Sequence, residues 1–246
     1  MLAVTMQRRG FKTAILDADI TGPSIPKCFG IHEKAMGSDD GLFPVNTKTG
    51  IETMSINELL PDETSPVVWR GPVIAGVVTQ FWTDVVWGDV DYMFVDMPPG
   101  TGDIQLTLSQ QVPLTGAVVV TTPQDIALID AKKGLRMFQK VNVPILGIIE
   151  NMSVFICPHC GEVEHIFGEG GAKRMSEQYG VPLLGELPLS AKIREQADSG
   201  LPTVAAEPDG KEALMYREMA MKVAGALARI TKDYTAKMPG IRVVND

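Results

Sequence analysis

Residues 92–103 have the sequence Tyr-Met-Phe-Val-Asp-Met-Pro-Pro-Gly-Thr-Gly-Asp. The first four are apolar or aromatic and predict a buried β-strand that ends at the carboxylate of Asp96. Two prolines then stiffen a turn, and Gly100 and Gly102 allow a ligand to come close to the backbone. A nucleotide triphosphatase uses such a strand end to place an acid near Mg²⁺ and a backbone N–H near the γ-phosphate. The stretch therefore predicts part of a nucleotide site.

The other part of such a site is a phosphate-cradling loop of the form G-x-x-x-x-G-K-[ST]. The 246-residue sequence does not contain this pattern. The sequence thus accounts for the acidic half of a nucleotide site and leaves the phosphate-binding half unexplained.

The composition is that of a globular protein with an acidic balance. Hydrophobic residues make up 45% and charged residues 21%, and the net charge is −8. This argues against nucleic-acid binding and against a polybasic membrane patch, because both need a basic surface. No apolar run approaches the ~20 residues of a membrane-spanning helix. Three cysteines do not make a secreted disulfide framework. We therefore expect a cytoplasmic protein with no nucleic-acid partner and no membrane partner.

Apolar runs alternate with helical patterns along the chain, which predicts an α/β class with a doubly wound, mostly parallel sheet. The predicted strands are residues 12–16, 51–55, 92–96, 116–121, 145–149 and 183–186. The predicted helices are residues 2–9, 72–87, 103–111, 127–141, 170–179, 190–199 and 212–236. Residues 37–50 are predicted to be an exposed loop, and residues 1–246 to form a single domain.

Polar side chains follow three of these strands, where ligands bind in such folds. Asp17 and Asp19 end the first strand and would point the same way if the strand continued. One could then hold a metal ion while the other orients an attacking water, although two solvated acids in a loop explain the pattern equally well. Asn151 offers a donor and an acceptor that suit the edge of an adenine ring. An ordinary helix or turn cap is an equally good explanation.

Residues 157–161, Cys-Pro-His-Cys-Gly, are the sharpest chemical signal in the chain. A C-x-x-C followed by glycine forms a knuckle that directs two thiolates at one ion. A tetrahedral thiolate site needs four ligands, and Cys28 is distant in sequence. His159 or His165 could complete a zinc site within the chain, or the pair could be a redox dithiol. Alternatively, two chains could bind Zn²⁺ or a [4Fe–4S] cluster across a two-fold axis, which uses the cysteine count most economically.

Three segments together resemble the Mrp/ApbC family of P-loop ATPases, which are iron–sulfur cluster carriers or scaffolds related to MinD and the nitrogenase iron protein. The segments are residues 16–26 (LDADITGPSIP), 96–103 (DMPPGTGD) and 150–160 (ENMSVFICPHC). They occur in the family's order, and the resemblance covers nearly the whole chain. It implies a P-loop NTPase fold of the MinD type and a cytosolic homodimer that binds ATP with Mg²⁺ and hydrolyses it. It also implies a [4Fe–4S] cluster that is held between two chains and passed to apo iron–sulfur proteins.

The resemblance implies a role for each matching residue of the nucleotide site. Asp17 is similar to the switch I acid near Mg²⁺, and Asp19 is similar to the acid that orients the attacking water. Asp96 is similar to the Walker B acid. Gly100 is similar to a γ-phosphate sensor, and Asn151 to an adenine contact.

The same resemblance makes Cys157 and Cys160 the cluster ligands. They lie in a C-x-x-C insertion that we place near residues 153–168, with zinc as the alternative metal.

The chain departs from the family at its beginning. The family starts with a strand and a loop of the form GKGGVGKS, whose helix continues into the equivalent of residues 2–4. Here that loop would end about one helical turn before Met1. We therefore expect that Met1 is an internal methionine taken as a start, or that the chain is a fragment. Loss of a central strand leaves backbone groups of its neighbours unpaired, so we expect weak ATP binding and an unstable or aggregation-prone chain.

Two rival functions follow from the same residues. One is a non-hydrolysing, metal-binding scaffold that lacks a working P-loop. The other is a partitioning-type ATPase, which is disfavoured because it has no use for a C-x-x-C. In addition, the last predicted helix runs into residues 238–240, Met-Pro-Gly, without a basic amphipathic tail.

Overall fold

A computed structural model describes residues 1–39, 41–62, 69 and 71–230. Predictions for residues 231–236 and 238–240 lie outside the described residues. The helices are α1 (Leu2–Arg8), α2 (Ile25–Phe29), α3 (Gly71–Thr83), α4 (Asp103–Gln111), α5 (Asp125–Lys140), α6 (Gly171–Tyr179), α7 (Ala191–Asp198), α8 (Thr203–Ala206) and α9 (Lys211–Ala228). The strands are β1 (Thr13–Asp17), β2 (Met36–Ser38), β3 (Gly41–Phe43), β4 (Val45–Asn46), β5 (Glu52–Met54), β6 (Tyr92–Asp96), β7 (Ala117–Thr121), β8 (Ile145–Glu150), β9 (Phe155–Ile156), β10 (Val163–Glu164) and β11 (Leu183–Glu186).

The predicted α/β fold with mostly parallel pairing is confirmed, and its strands are distributed over two main sheets. One sheet has the order β4-β5-β1-β6, and the other has the order β11-β8-β7. β1 pairs in parallel with β5 and β6, and β8 pairs in parallel with β7 and β11. All six predicted strands are present, with each end within one residue of its prediction.

Helices α1 and α9 connect the two sheets on one side. They pack against each other, and α1 contacts β1 while α9 contacts β11 and β8. Val4 of α1 is buried in the core of the first sheet with Ile15. Met219 of α9 is buried in the core of the second sheet with Ile149. Within the described residues, no helix is both long and apolar enough to cross a membrane.

The strands β6 and β7 each form an edge of their sheet. Within the described residues, no strand pairs with the outer edge of either one. Val120 of β7 is 60% exposed, although it lies in a continuous apolar run that predicts a covered strand. The backbone groups along these two edges are therefore available to a further strand.

The prediction of an exposed loop at residues 37–50 is wrong. β2 and β3 form an antiparallel hairpin, and β4 pairs with β5 so that Val45 lies opposite Thr53. The Thr53 hydroxyl also lies 2.9 Å from the carbonyl oxygen of Val45. Strands of two or three residues are too short to show an alternating pattern, which is why the sequence did not predict them.

Candidate functional site

The carboxyl ends of β1 and β6 bring two of the predicted acids together. Asp17 and Asp96 are register partners in the parallel pair. The N–H of Ala18 donates to the carbonyl oxygen of Asp96 at 2.8 Å, which holds the two strand ends side by side. Of the three strand ends that could face one site, two therefore meet in one sheet, whereas Asn151 follows β8 of the other sheet.

Asp17 and Asp19 have different surroundings. Asp17 is buried, and its Oδ2 accepts from the Ser55 hydroxyl at 3.0 Å and from the Ile25 N–H at 3.3 Å. Asp19 is half-buried, and its Oδ1 accepts from the N–H of Gly22 at 3.0 Å. Since β1 ends at Asp17, the alternation that would point both acids the same way does not extend to Asp19.

The acids affect one another's protonation. Burial raises the pKa of Asp17 to about 7, the charge of Asp96 adds to the rise, and the Ser55 hydrogen bond opposes it. Asp96 is accessible to solvent, yet desolvation by the surrounding protein raises its pKa, and the charge of Asp19 raises it further. The α-amino group of Met1 lies within electrostatic range of Asp96. Neighbouring carboxylates that repel each other attract a hard cation such as Mg²⁺, although the acids among the described residues do not form a group of three or more that could hold a metal ion by itself.

A second buried carboxylate supports this cluster and was not predicted. Glu58 is 1% exposed, and its Oε2 accepts from the N–H of Ser55 at 3.0 Å. The Ser55 hydroxyl reaches Asp17, so Glu58 positions a residue that touches the site. Residues 55–58, Ser-Ile-Asn-Glu, form a capping box, a pattern that the sequence does contain. The contact to Asp17 joins residues 38 positions apart, and no local pattern indicates it.

The hydroxyl of Thr53 lies between two acceptors, one of which is Glu58. The Thr53 hydroxyl oxygen lies 2.9 Å from the carbonyl oxygen of Val45 and 2.7 Å from Oε1 of Glu58. The hydroxyl has one proton, and a carbonyl oxygen can only accept. The two acceptors therefore share this proton, and the shorter contact is to Glu58. Burial raises the pKa of Glu58 to about 7, and the hydrogen bond from Thr53 opposes the rise.

We expect the free energy of unfolding to fall as the pH rises from about 4 to about 7. The pKa values of Asp17 and Glu58 rise on folding from 3.8 and 4.5 to about 7. The native state therefore binds more protons than the unfolded state in this interval, so stability is greatest below the unfolded values and is lost towards pH 7. For Glu58 the loss is on the order of 3 kcal/mol, since one pH unit between the two values is worth about 1.4 kcal/mol. Urea unfolding at several pH values measures it.

The matched control for this prediction is Glu58→Gln. Its side-chain amide has a similar shape, can accept a hydrogen bond through its oxygen, and does not titrate in this pH range. We expect the variant to lose less stability than the wild type between pH 4 and pH 7. Identical pH dependence in the two proteins would contradict a raised pKa of the buried Glu58.

The turn after β6 is stabilised by hydrogen bonds from a side chain of the following helix. The side-chain amide of Gln105 donates to the carbonyl oxygens of Pro98 and Pro99 at 3.0 and 2.8 Å. Gly100 follows with φ 92°, a conformation that favours glycine, and it is exposed. Its N–H donates to no described residue. The group can therefore face an anion, and the role of Gly100 as a phosphate sensor stays a prediction.

Asn151 lies at the end of the second sheet. Its N–H donates to the carbonyl oxygen of Thr121 at 2.7 Å, which places it at the carboxyl ends of β7 and β8. Its Oδ1 accepts from the N–H of Met152 at 3.1 Å, while its NH₂ group donates to no described residue. The preceding Glu150 is buried and accepts from the N–H of Ala172 at 2.6 Å, at the start of α6. An adenine contact by Asn151 stays a prediction.

The C-x-x-C pair lies at the tip of the β9–β10 hairpin. The N–H of Cys157 donates to the carbonyl oxygen of Glu162 at 2.8 Å, and the N–H of Gly161 donates to that of Cys157 at 2.9 Å. Hydrogen bonds from the backbone of Cys160, then from that of His159, lower the pKa of the Cys157 thiol. Both cysteines are free thiols, and Cys160 is exposed. The loop therefore favours a thiolate that can bind a metal.

A zinc site completed within the chain is not observed. Among the described residues, no group of three or more His, Cys, Asp or Glu side chains could hold a metal ion. His165 has Nδ1 3.2 Å from the carbonyl oxygen of Ser153 instead. Cys28 lies in electrostatic range of Asp96 and Asp17, at the other site. The described residues thus give no support to a site completed by His159 or His165, which stays a prediction.

Solved structures that resemble this chain define its fold class as the MinD-like α/β fold. MinD of Pyrococcus furiosus, a cell-division ATPase, is 19% identical with a TM-score of 0.65, covers 91% of this chain and 90% of that chain, and shows the fold alone. A nucleotide-binding protein from Archaeoglobus fulgidus, solved in complex with ADP, is 38% identical with a TM-score of 0.72. That match covers 87% of this chain and 82% of that chain.

Within this class, the chain belongs to the ParA family described as NUBPL iron-transfer P-loop NTPase, whose sequence model matches residues 1–224. It is 52% identical over 222 residues to the iron–sulfur cluster carrier protein of Pseudomonas fragi, covering 89% of this chain and 77% of the relative. It is 51% identical over 228 residues to the protein of the same name from Escherichia coli K12, covering 92% of this chain and 61% of the relative. The chain thus spans about three-fifths of the length of the E. coli relative.

Proposed function

We propose that this chain is an iron–sulfur cluster carrier that binds a [4Fe–4S] cluster and passes it to apo-proteins. The observation that carries the proposal is the exposed thiol pair at the hairpin tip, where backbone N–H groups favour the thiolate of Cys157. Relatives at 51% and 52% identity are named iron–sulfur cluster carrier proteins, which supports the same function here.

The cluster requires a homodimer. A [4Fe–4S] cluster is held by about four thiolates, and Cys157 and Cys160 supply two of them. A second copy related by a two-fold axis supplies the other two. The apolar side chains of Val163 and Ile166 are exposed near the pair and offer a surface for the partner copy.

ATP binding and hydrolysis accompany the carrier function. Asp17 and Asp96 would hold Mg²⁺, which would neutralise charge on the phosphates. Asp19 orients the attacking water, the N–H of Gly100 meets the γ-phosphate, and Asn151 contacts adenine. The meeting of the acids at the ends of β1 and β6 supports this assignment.

We further infer that residues 1–246 form one domain of a cytoplasmic protein. Three free cysteines fit a reducing compartment. The contact between α1 and α9, which joins the two sheets, supports a single unit.

A non-hydrolysing metal-binding scaffold is the second candidate. Such a scaffold would use the same exposed thiol pair, Cys157 and Cys160, without turning over ATP. The two candidates differ in ATP turnover and share the cluster site.

Anaerobic reconstitution with iron and sulfide tests the cluster assignment. We expect about four irons and four sulfides per two chains, together with the visible absorption of a [4Fe–4S] cluster. Stoichiometric zinc in the purified protein, with no iron uptake, would contradict the carrier function.

A further inference from the structure

A cleft of about 290 Å³ lies between the C-x-x-C hairpin and α9, and the nucleotide-site residues do not line it. Three parts of the chain form it: the segment before the hairpin, the edge strand β11 and one face of α9. Its walls are largely apolar and include Val154, Ile156, Leu184, Pro188, Met215 and Met219.

Two methionines make this cleft adaptable. Met219 is buried against β11, so closely that a Cβ added to Gly185 would lie 2.6 Å from the Met219 Cε atom. Met215 lies one helical turn earlier on α9 and is 39% exposed. Unbranched, polarisable methionine side chains can repack around different partners. The apolar wall can therefore accept side chains of different shapes.

The mouth of the cleft is acidic. Glu186 and Glu218 line it and are exposed, and neither carboxylate has an ion pair or side-chain hydrogen bond within the described part of the chain. Lys222 is the one cation among the described lining residues. Its ammonium group donates a hydrogen bond to the carbonyl oxygen of Leu184 at 2.7 Å, on the edge strand β11, and makes no ion pair with either glutamate. The carboxylates of Glu186 and Glu218 are therefore available to a ligand that binds in the cleft.

The cleft adjoins the thiol pair. Ile156 lines the cleft, and Cys157 is the next residue. The N–H of Leu189 donates to the carbonyl oxygen of Val154 at 2.8 Å, which ties the base of the hairpin to the segment after β11. A ligand in the cleft would thus contact Ser153, Val154 and Ile156, which lead directly into the C-x-x-C pair.

We propose that this cleft docks a segment of an apo-protein client that carries apolar side chains flanked by lysine or arginine. The inference rests on the proposed carrier function, because it assigns the occupant to the recipient of the cluster. The volume is near the lower limit of ~300 Å³ for ligand pockets, which suits one or two anchoring side chains. The free carboxylates complement flanking basic residues.

A fluorescein-labelled peptide of two leucines flanked by lysines, titrated against the full chain by fluorescence anisotropy, tests the proposal. We expect the wild type to bind it, and Glu218→Lys to weaken binding about three- to tenfold, the range for an exposed ion pair that is lost and reversed. Added salt should weaken binding in the wild type. A peptide with glutamates in place of the lysines should bind at least about threefold more weakly.

Glu177→Lys is the matched control, because it makes the same charge change on α6, outside the cleft. We expect it to bind the basic peptide as the wild type does. Equal affinity of the two peptides, or equal weakening by both variants, would overturn the proposal. Dissociation of a dimer by Glu218→Lys alone would also overturn it, because the occupant would then be a second copy.

The iron content separates this inference from the carrier function. A reconstituted Glu218→Lys variant with unchanged iron and unchanged peptide affinity refutes the docking site alone. A wild type that takes up no iron refutes the carrier function, whatever the peptide binds.

Discussion

We expect that replacing both Cys157 and Cys160 with serine abolishes cluster binding after anaerobic reconstitution. The iron content should fall from about four per two chains to background, because a serine hydroxyl is not deprotonated at neutral pH and does not replace a thiolate ligand. The chain should remain folded, since the pair lies at an accessible hairpin tip and makes no disulfide. Iron and sulfide assays with visible absorption measure the effect.

Cys28→Ser and His159→Ala are the matched controls. Cys28 lies near Asp96 and Asp17, and His159 belongs to no metal-binding group among the described residues. Both variants should retain the full iron content. Iron that persists in the double cysteine variant, or that disappears with Cys28→Ser, would refute the assignment of the ligands.

The second large effect concerns ATP. A polypeptide of residues 1–246 should bind ATP at least about 100-fold more weakly than one that carries a strand and a GKGGVGKS loop ahead of Met1. Such a loop supplies backbone N–H groups and a lysine to the phosphates, and the loss of two charge-assisted hydrogen bonds costs about 3 kcal/mol or more. The acids at β1 and β6 supply no donor of this kind. Isothermal titration of both polypeptides with Mg²⁺-ATP measures the difference.

The fold explains where the added residues would act. Met1 lies in electrostatic range of Asp96, and β6 and β7 have unpaired outer edges within the described residues. The control is the longer polypeptide with its loop lysine changed to alanine, which should bind ATP nearly as weakly as residues 1–246. Equal affinities of all three polypeptides would show that the acidic edge binds ATP without the loop.

The principal elements could be predicted because their signals are local. Residues 92–96 and 145–149 are continuous apolar runs, and such runs predict buried parallel strands wherever they occur. The short strands β2, β3 and β4 could not be predicted, since two or three residues carry no periodicity. The five-residue helix α2 and the four-residue helix α8 were missed for the same reason.

The candidate site divides in the same way. The sequence placed Asp17, Asp96 and Asn151 after strands that could face one site. The register brings Asp17 and Asp96 together, whereas Asn151 follows a strand of the other sheet. Gln105 was not predicted, because nothing in its neighbourhood indicates that its amide would hold the carbonyl groups of Pro98 and Pro99. The support that Ser55 and Glu58 give to Asp17 was also missed, because Ser55 and Asp17 are 38 positions apart in the chain.

By itself the sequence determined the class of fold, the acids at strand ends and the thiol pair, because hydrophobic period, strand ends and cysteine spacing are properties of neighbouring residues. Only the tertiary structure decided the surroundings of those groups. It buried Asp17 against Ser55, separated Cys28 from Cys157, and placed the acidic mouth of a cleft beside the hairpin. Burial and electrostatic interaction depend on distances across the fold, and residues far apart in the chain set those distances.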